Sequence, residues 1–287
     1  MIDRRSFIRQ GAASLAAAGM LPHLPQSVLA AARGIGMPIG YQSYVLRKEL
    51  NDDFAGVLAK TAAMGYEHVE MCSPKGYSPH AFSKLTKYSG KELRKIIEDS
   101  GLKCWSSHFT WNELMGNLDE RIAFAQDMGL QHMVASAGLN GGMDDLKRKC
   151  EALNKVGAKV KSAGMIAGYH NHNGEFEAKK DGVPDYDIIL QHLDPNLVKM
   201  QFQVAAVQVG YKAADYFRKH PARFISAHLQ DYSKDDMKKQ VVLGRGGVVD
   251  WKDFFKAAKT GGLKWVYVEM ESDPGTLEGS VDYLKKL

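Results

Sequence analysis

Cysteine is scarce in this chain, with three residues among 287, at positions 72, 104 and 150. An odd number at irregular spacings gives no disulfide framework and no Cys-x-x-Cys redox or zinc pair. Other signatures are missing too. There is no Walker-type phosphate loop and no Gly-x-Ser-x-Gly elbow, and Gly244-Arg245-Gly246-Gly247 lacks the strand-to-helix Gly-x-Gly-x-x-Gly setting of a dinucleotide site. No apolar run is long enough to span a bilayer as a stable helix. Neither sign of charge dominates: 38 Lys and Arg stand against 33 Asp and Glu, a net charge of +5. That excess gives no basis for nucleic-acid binding, and Lys234, Lys238 and Lys239 are interleaved with Asp235 and Asp236 as in a solvated loop. What is present is ordinary for a soluble globular protein with a sizeable core: 45% hydrophobic and 25% charged residues.

The first 32 residues stand apart. Asp3-Arg4-Arg5-Ser6-Phe7-Ile8-Arg9, the apolar stretch Gly11 to Leu21 and the small-residue site Ala30-Ala31-Ala32 resemble a twin-arginine export signal. Pro22, Pro25 and the absence of charge from Gln10 to Ala32 argue against a packed amphipathic helix. The expectation is a leader over residues 1–32, removed to leave a periplasmic or secreted protein beginning near Arg33, with the twin-arginine export machinery as a partner. The remaining 255 residues carry a net charge of +3 and suit one (β/α)₈ TIM barrel over 33–287.

Hydrophobic patterning supports that architecture. Short apolar runs predict strands at Pro38 to Val45, His68 to Cys72, Lys103 to Phe109, His132 to Ala137, Met165 to Asn171, Val198 to Val204, Phe224 to Gln230 and Trp265 to Met270. Helical periodicity falls between them, near 52–64, 89–100, 118–128, 142–163, 184–192, 212–219, 250–260 and 276–286. Gly65, Gly101, Gly129 and Gly164 follow helical segments where a left-handed C′ residue would end them.

Imidazoles and carboxylates fall at the ends of these strands: Glu70, His108, His170 and His172, Gln203, His228 and Glu269. Parallel barrel strands all point one way, so such ends meet at one mouth. Alternation places Cys104, Ser106 and His108 on one face, Lys199, Gln201 and Gln203 on another, and Phe224, Ser226, His228 and Gln230 on a third, all directed inward. Any one of these groups alone reads as a satisfied core residue. Several ionisable groups buried together without a metal or substrate would cost on the order of several kcal/mol each. The remaining histidines, at 23, 68, 80, 132, 192 and 220, read as leader, core or surface.

The segments Gly65-Tyr66-Glu67-His68-Val69-Glu70, Gly168 to Phe176, Ser226-Ala227-His228-Leu229-Gln230-Asp231, Leu243-Gly244-Arg245-Gly246 and Val268-Glu269 together resemble the xylose isomerase-like sugar phosphate isomerase/epimerase family. The resemblance implies a divalent ion, Zn²⁺, Mn²⁺ or Mg²⁺, held by Glu, Asp, His and Glu from strands five to eight. His228 and Glu269 match the last two positions, while His170 stands for the glutamate and Gln203 for the aspartate. With one formal negative charge, the set His170, Gln203, His228 and Glu269 favours an imidazole-loving ion such as Zn²⁺ over Mg²⁺. Glu175 or Glu271 could restore charge.

The implied chemistry is proton abstraction beside a polarised carbonyl, leading to isomerisation, epimerisation or elimination. Glu269 is then the base or a metal ligand, His170 and His228 polarise the oxygen, and His172 is an alternative acid. Glu70, His108, Trp111, Asp231 and Glu271 are expected to bind substrate, and Trp111 and Tyr41 to stack on a sugar. An exported enzyme meets few phosphorylated sugars, so the expected ligand is an unphosphorylated carbohydrate or keto-sugar. Two other classes stay open: a non-catalytic carbohydrate-binding barrel that has lost its metal, and a hydrolase working through Glu70 and Glu269 as paired carboxylates.

Overall fold

Glycine punctuates the chain where the periodicity breaks. Gly65, Gly101, Gly129 and Gly164 take φ values of 100°, 88°, 71° and 82°, a left-handed conformation that ends a helix and hands the chain to the next strand. The computed structural model describes residues 34–287. Both the leader expected over 1–32 and its cleavage site lie outside the described residues.

Eight parallel strands close into a barrel in sequential order. They are β1 (Ile39–Gln42), β2 (His68–Cys72), β3 (Ser106–Phe109), β4 (His132–Ala135), β5 (Ile166–His170), β6 (Val198–Gln203), β7 (Phe224–Leu229) and β8 (Trp265–Val268). The principal outer helices are α1 (Phe54–Met64), α2 (Gly90–Asp99), α3 (Leu118–Asp127), α4 (Met143–Ser162), α5 (Asp185–His192), α6 (Ala213–Lys219), α7 (Trp251–Gly261) and α8 (Leu277–Lys286). The fold is the expected (β/α)₈ TIM barrel. Among the described residues no helix is long and apolar enough to cross a membrane, and the three cysteines are free and buried.

Strand ends are trimmed relative to the sequence pattern: β3 begins at Ser106 rather than Lys103, and β1 stops at Gln42. Before β3 the pairing thins to a single bridge between Lys103 and His68, so the run read from sequence extends past the continuous ladder. One inward assignment is corrected. A register shift beside Met200 and Gln201 pairs Met200 with Phe224 and Gln201 with Ser226, which skips Ile225. Phe224 therefore packs outward on Phe202 and Phe217, while Ser226 and His228 keep the inward face.

At the N-terminal end of the barrel, His132 lies edge-on to Trp265 with ring centroids 4.6 Å apart, and neither of its ring nitrogens has a hydrogen-bond partner among the described residues. Burial lowers its pKa from 6.5 to about 4 against a smaller opposing pull from Glu70. The unfolded chain therefore takes up a proton below about 6.5 that the folded chain refuses until about 4. Stability present above the upper value is lost as pH falls through this window, by on the order of 3 kcal/mol at most. Urea denaturation across the window should show that decline, and His132→Phe should flatten it.

Candidate functional site

Glu70 points into the barrel from the middle of β2, one level below the mouth. Cys72 is in register with His108, which puts Glu70 level with Ser106. Four protein donors converge on the Glu70 carboxylate. Ser106 Oγ and Gln201 Nε2 donate to Oε1 at 2.5 and 2.8 Å, and Gln42 Nε2 and His228 Nε2 donate to Oε2 at 2.8 and 2.5 Å. Burial pushes its pKa up, but the adjoining His108 and His228 outweigh that and hold the carboxyl at about 2.

Above Glu70 stand three imidazoles, from the C-terminal ends of β3, β5 and β7. His108 and His228 are stacked with centroids 5.2 Å apart, and His170 lies 4.8 and 4.5 Å from them. His108, His170 and His228 each place one ring nitrogen within 4.8 Å of the other two. The Nδ1 of His228 lies 3.0 Å from Glu269 Oε2, which also accepts from Gln203 Nε2 and, at 3.4 Å, from Gln230 Nε2. Burial alone would lower the His228 pKa, yet Glu269 and Glu70 push it up to about 10. The space between these two carboxylates calls for one positive charge, which a proton on Nδ1 or a cation beside it supplies. Burial raises the Glu269 pKa, and the charge of His228 brings it below the ordinary carboxylate value. His170 is held well below its ordinary value by burial and by the neighbouring histidines, and burial lowers His108 as well.

Two buried polar atoms of this group, His170 Nδ1 and Gln203 Oε1, lack a hydrogen-bond partner among the described residues, while His228 Nδ1 faces the Glu269 carboxylate. They belong to two of the four residues implied as ion ligands, and His228 and Glu269 are the other two. Lone pairs that protein donors leave unmatched at buried sites are what an ion or a ligand would satisfy. The donor set therefore fits a divalent ion of zinc type better than one that demands several carboxylates.

A cavity of about 460 Å³ opens above the histidines, lined by His172, Gln203, Gln208, Gln230, Lys238 and Glu271 among others. A larger one of about 1220 Å³, rimmed by Lys103, Lys252, Lys256 and Lys264, lies at the other end of the barrel. The smaller is the relevant one, because the C-terminal strand ends deliver the chemically capable groups to it. His172, just past β5, presents its ring 4.9 Å from that of His170. Glu271 is a carboxylate of the cavity wall to which no hydrogen bond is made by the described residues. Burial, with Glu269 nearby, raises its pKa to about 7.

Several expected substrate contacts are placed elsewhere. Asp231 is wholly buried and accepts from the backbone N–H groups of Tyr232, Gly244 and Val249 and from Trp251 Nε1, so it anchors the loop after β7 rather than a ligand. The Leu243-Gly244-Arg245-Gly246 motif serves the same anchor. A Cβ on the adjoining Gly247 would collide with the Asp231 carboxylate, so the loop can wrap it only with glycine there. Trp111 lays its ring against Gly138 and is half-buried, and Tyr41 is sealed under the helices with its hydroxyl accepting from Thr61, so Tyr41 offers no stacking face. Glu70 is closed off by its four donors and sits across the His228 ring from Glu269. Buried and with its oxygens already accepting from four donors, Glu70 cannot serve as one of the paired carboxylates a hydrolase would need. Gln201 and Gln42, which complete the layer around Glu70, carried no assignment from sequence; the inward parity of Gln201 was the only signal.

Comparison with known proteins agrees with this geometry. A family model described as the xylose isomerase-like TIM barrel matches residues 58–287. Inosose dehydratase of Clostridium perfringens (strain ATCC 13124) is 26% identical over 148 residues, 46% of this chain and 49% of that enzyme. The match thus spans about half the length of that relative. A sugar phosphate isomerase/epimerase of Parabacteroides distasonis superposes with a TM-score of 0.73 at 25% identity, over 88% of this chain and 96% of the other. An IolI protein with a bound zinc atom shares the fold, with a TM-score of 0.66 at 14% identity over 87% of this chain and 96% of its own. By the extent of the family match and the ring of histidines and carboxylates at the barrel mouth, this chain belongs to the xylose isomerase-like TIM barrel family.

Proposed function

We propose that the protein is a sugar-modifying enzyme that moves a proton on the carbon beside a carbonyl of an unphosphorylated sugar or keto-sugar, with isomerisation, epimerisation or elimination of water as the outcome. The observation that carries this reading is the pair of unsatisfied ligand atoms, His170 Nδ1 and Gln203 Oε1, beside the His228–Glu269 pair at the floor of the mouth. The sugar isomerase/epimerase and the inosose dehydratase among its relatives support the reaction class. A cavity wall rich in side-chain amides, with Lys238 as its one lysine or arginine among the described residues, suits hydroxyl groups better than a phosphate.

His170, Gln203, His228 and Glu269 would hold a divalent ion, with His108 beside them. When bound, such an ion polarises a carbonyl and lowers the barrier to removing the neighbouring proton. Glu269 is spent on three neighbours at one oxygen, which makes it a poor base and a good holding group. Glu271 stands free on the cavity wall and is the better placed base, with its Oε atoms open to a substrate C–H. His172, exposed at the rim, returns a proton to the oxygen or to a leaving hydroxyl. Gln230, Gln208 and Lys238 orient hydroxyls through donated hydrogen bonds. The export signal expected over residues 1–32 supports an unphosphorylated substrate, since phosphorylated sugars are scarce outside the cytoplasm.

Elemental analysis of protein prepared with its native leader should find close to one divalent ion per chain, and prolonged chelation should abolish turnover that zinc or manganese restores. A chain that is ion-free and fully active would overturn the ligand assignment. In deuterated water, a keto-sugar substrate should acquire deuterium beside its carbonyl. Glu271→Gln should reduce that exchange by roughly 10²- to 10⁴-fold, the range for loss of a general base. Glu269→Gln should also stop turnover, with an unchanged circular dichroism spectrum but weakened ion binding, a loss not expected for Glu271→Gln.

A further inference from the structure

The side-chain amide of Gln201 lies at the centre of the buried layer, between Glu70, Ser226 and His108. Its Nε2 donates to Glu70 Oε1 at 2.8 Å and to Ser226 Oγ at 2.9 Å, and its Oε1 lies 2.7 Å from His108 Nε2. An ionised carboxylate only accepts hydrogen bonds, so the end of the amide that faces Glu70 has to be the NH₂ group. The amide oxygen is thereby turned to His108, and an oxygen at that distance requires a proton on Nε2. A second acceptor makes the same demand, because Glu70 Oε2 lies 3.4 Å from the same nitrogen. A neutral imidazole protonated at Nε2 keeps its lone pair on Nδ1.

We propose that Gln201 is a positioning residue: it carries the orientation imposed by Glu70 across the barrel to His108 and so reserves the Nδ1 lone pair of that ring for substrate or ion. This deepens the sugar-chemistry reading above and rests on it for its purpose, though not for its geometry. An acceptor at Nδ1 can take a hydrogen bond from a sugar hydroxyl or bind a cation. The opposite tautomer would present a proton there and repel both. Glu70 acts on His228 in the same way without an intermediary, since it faces Nε2 directly and leaves Nδ1 toward Glu269. One carboxylate thus sets two rings, and the amide extends its reach to the second.

The test is nitrogen-15 NMR of the full chain labelled at histidine, near neutral pH and without substrate, with the His108 ring assigned by its disappearance in His108→Asn. The expected spectrum shows His108 protonated at Nε2 and unprotonated at Nδ1. In Gln201→Met, which keeps the volume and removes both ends of the amide, the ring should populate both tautomers, and turnover should fall roughly ten- to a hundred-fold, the range for residues that orient a ligand-holding group, with KM little changed. A wild-type His108 protonated at Nδ1, or at both nitrogens, overturns the proposal, as does an unchanged tautomer in Gln201→Met. The wild-type spectrum decides by itself if that variant does not fold. An Nε2–H tautomer in a protein that performs no sugar chemistry would leave the positioning role intact and sink only the functional reading.

Discussion

A single buried carboxylate organises the interior of this barrel. Glu70 is acceptor-only, and every neighbour has adapted to that one-sided demand: two glutamines turn their NH₂ ends to it, a serine donates its hydroxyl, and a histidine presents an N–H. A charge in such a place would be strongly unfavourable if any of these were lost. Because all are present, the layer beneath the mouth has one hydrogen-bonding pattern and not several. The histidines above it inherit that uniqueness, so the orientation of the His228 ring is decided by a carboxylate that lies below the mouth.

Much of this was legible in the sequence, for a physical reason. Helix ends and strand starts depend on local chemistry, and the glycines at 65, 101, 129 and 164 mark them with the conformation that other residues avoid. Likewise, parallel strands have a fixed direction, so His108, His170, His228 and Glu269 are brought together by topology alone. What alternation could not supply was depth. Glu70 reads as a strand-end acid, but the register of β2 against β3 sets it one level lower, where it meets side chains and not solvent. Nor could it supply the bulge that reverses Phe224, since that depends on pairing between β6 and β7. Asp231 illustrates a third gap. An acid at the end of a barrel strand looks like a ligand contact, and only the path of the following loop shows that its acceptors are taken up by backbone.

The histidine and amide at 170 and 203 change the character of the floor. Carboxylates there would repel Glu269 and one another and would require a cation merely to coexist. Neutral groups relax that requirement and permit Gln203 to donate to Glu269 instead. The resulting centre is self-consistent with a proton on His228, which separates it from the carboxylate-rich pattern its family resemblance implies.

The loop after β7 offers a different kind of freedom. Its two ends are tied to Asp231, by Tyr232 at the start and by Val249 and Trp251 at the finish, whereas Lys238 and Gln240 between them reach the cavity. Only the tip between Ser233 and Lys239 escapes the knot, since Gln240, Val241 and Gly244 are tied to Ser272 and Asp231, and that tip behaves as an interchangeable cassette. Descendants of this barrel can therefore diverge in the molecules they admit by rewriting a short run of consecutive codons, leaving the machinery underneath untouched.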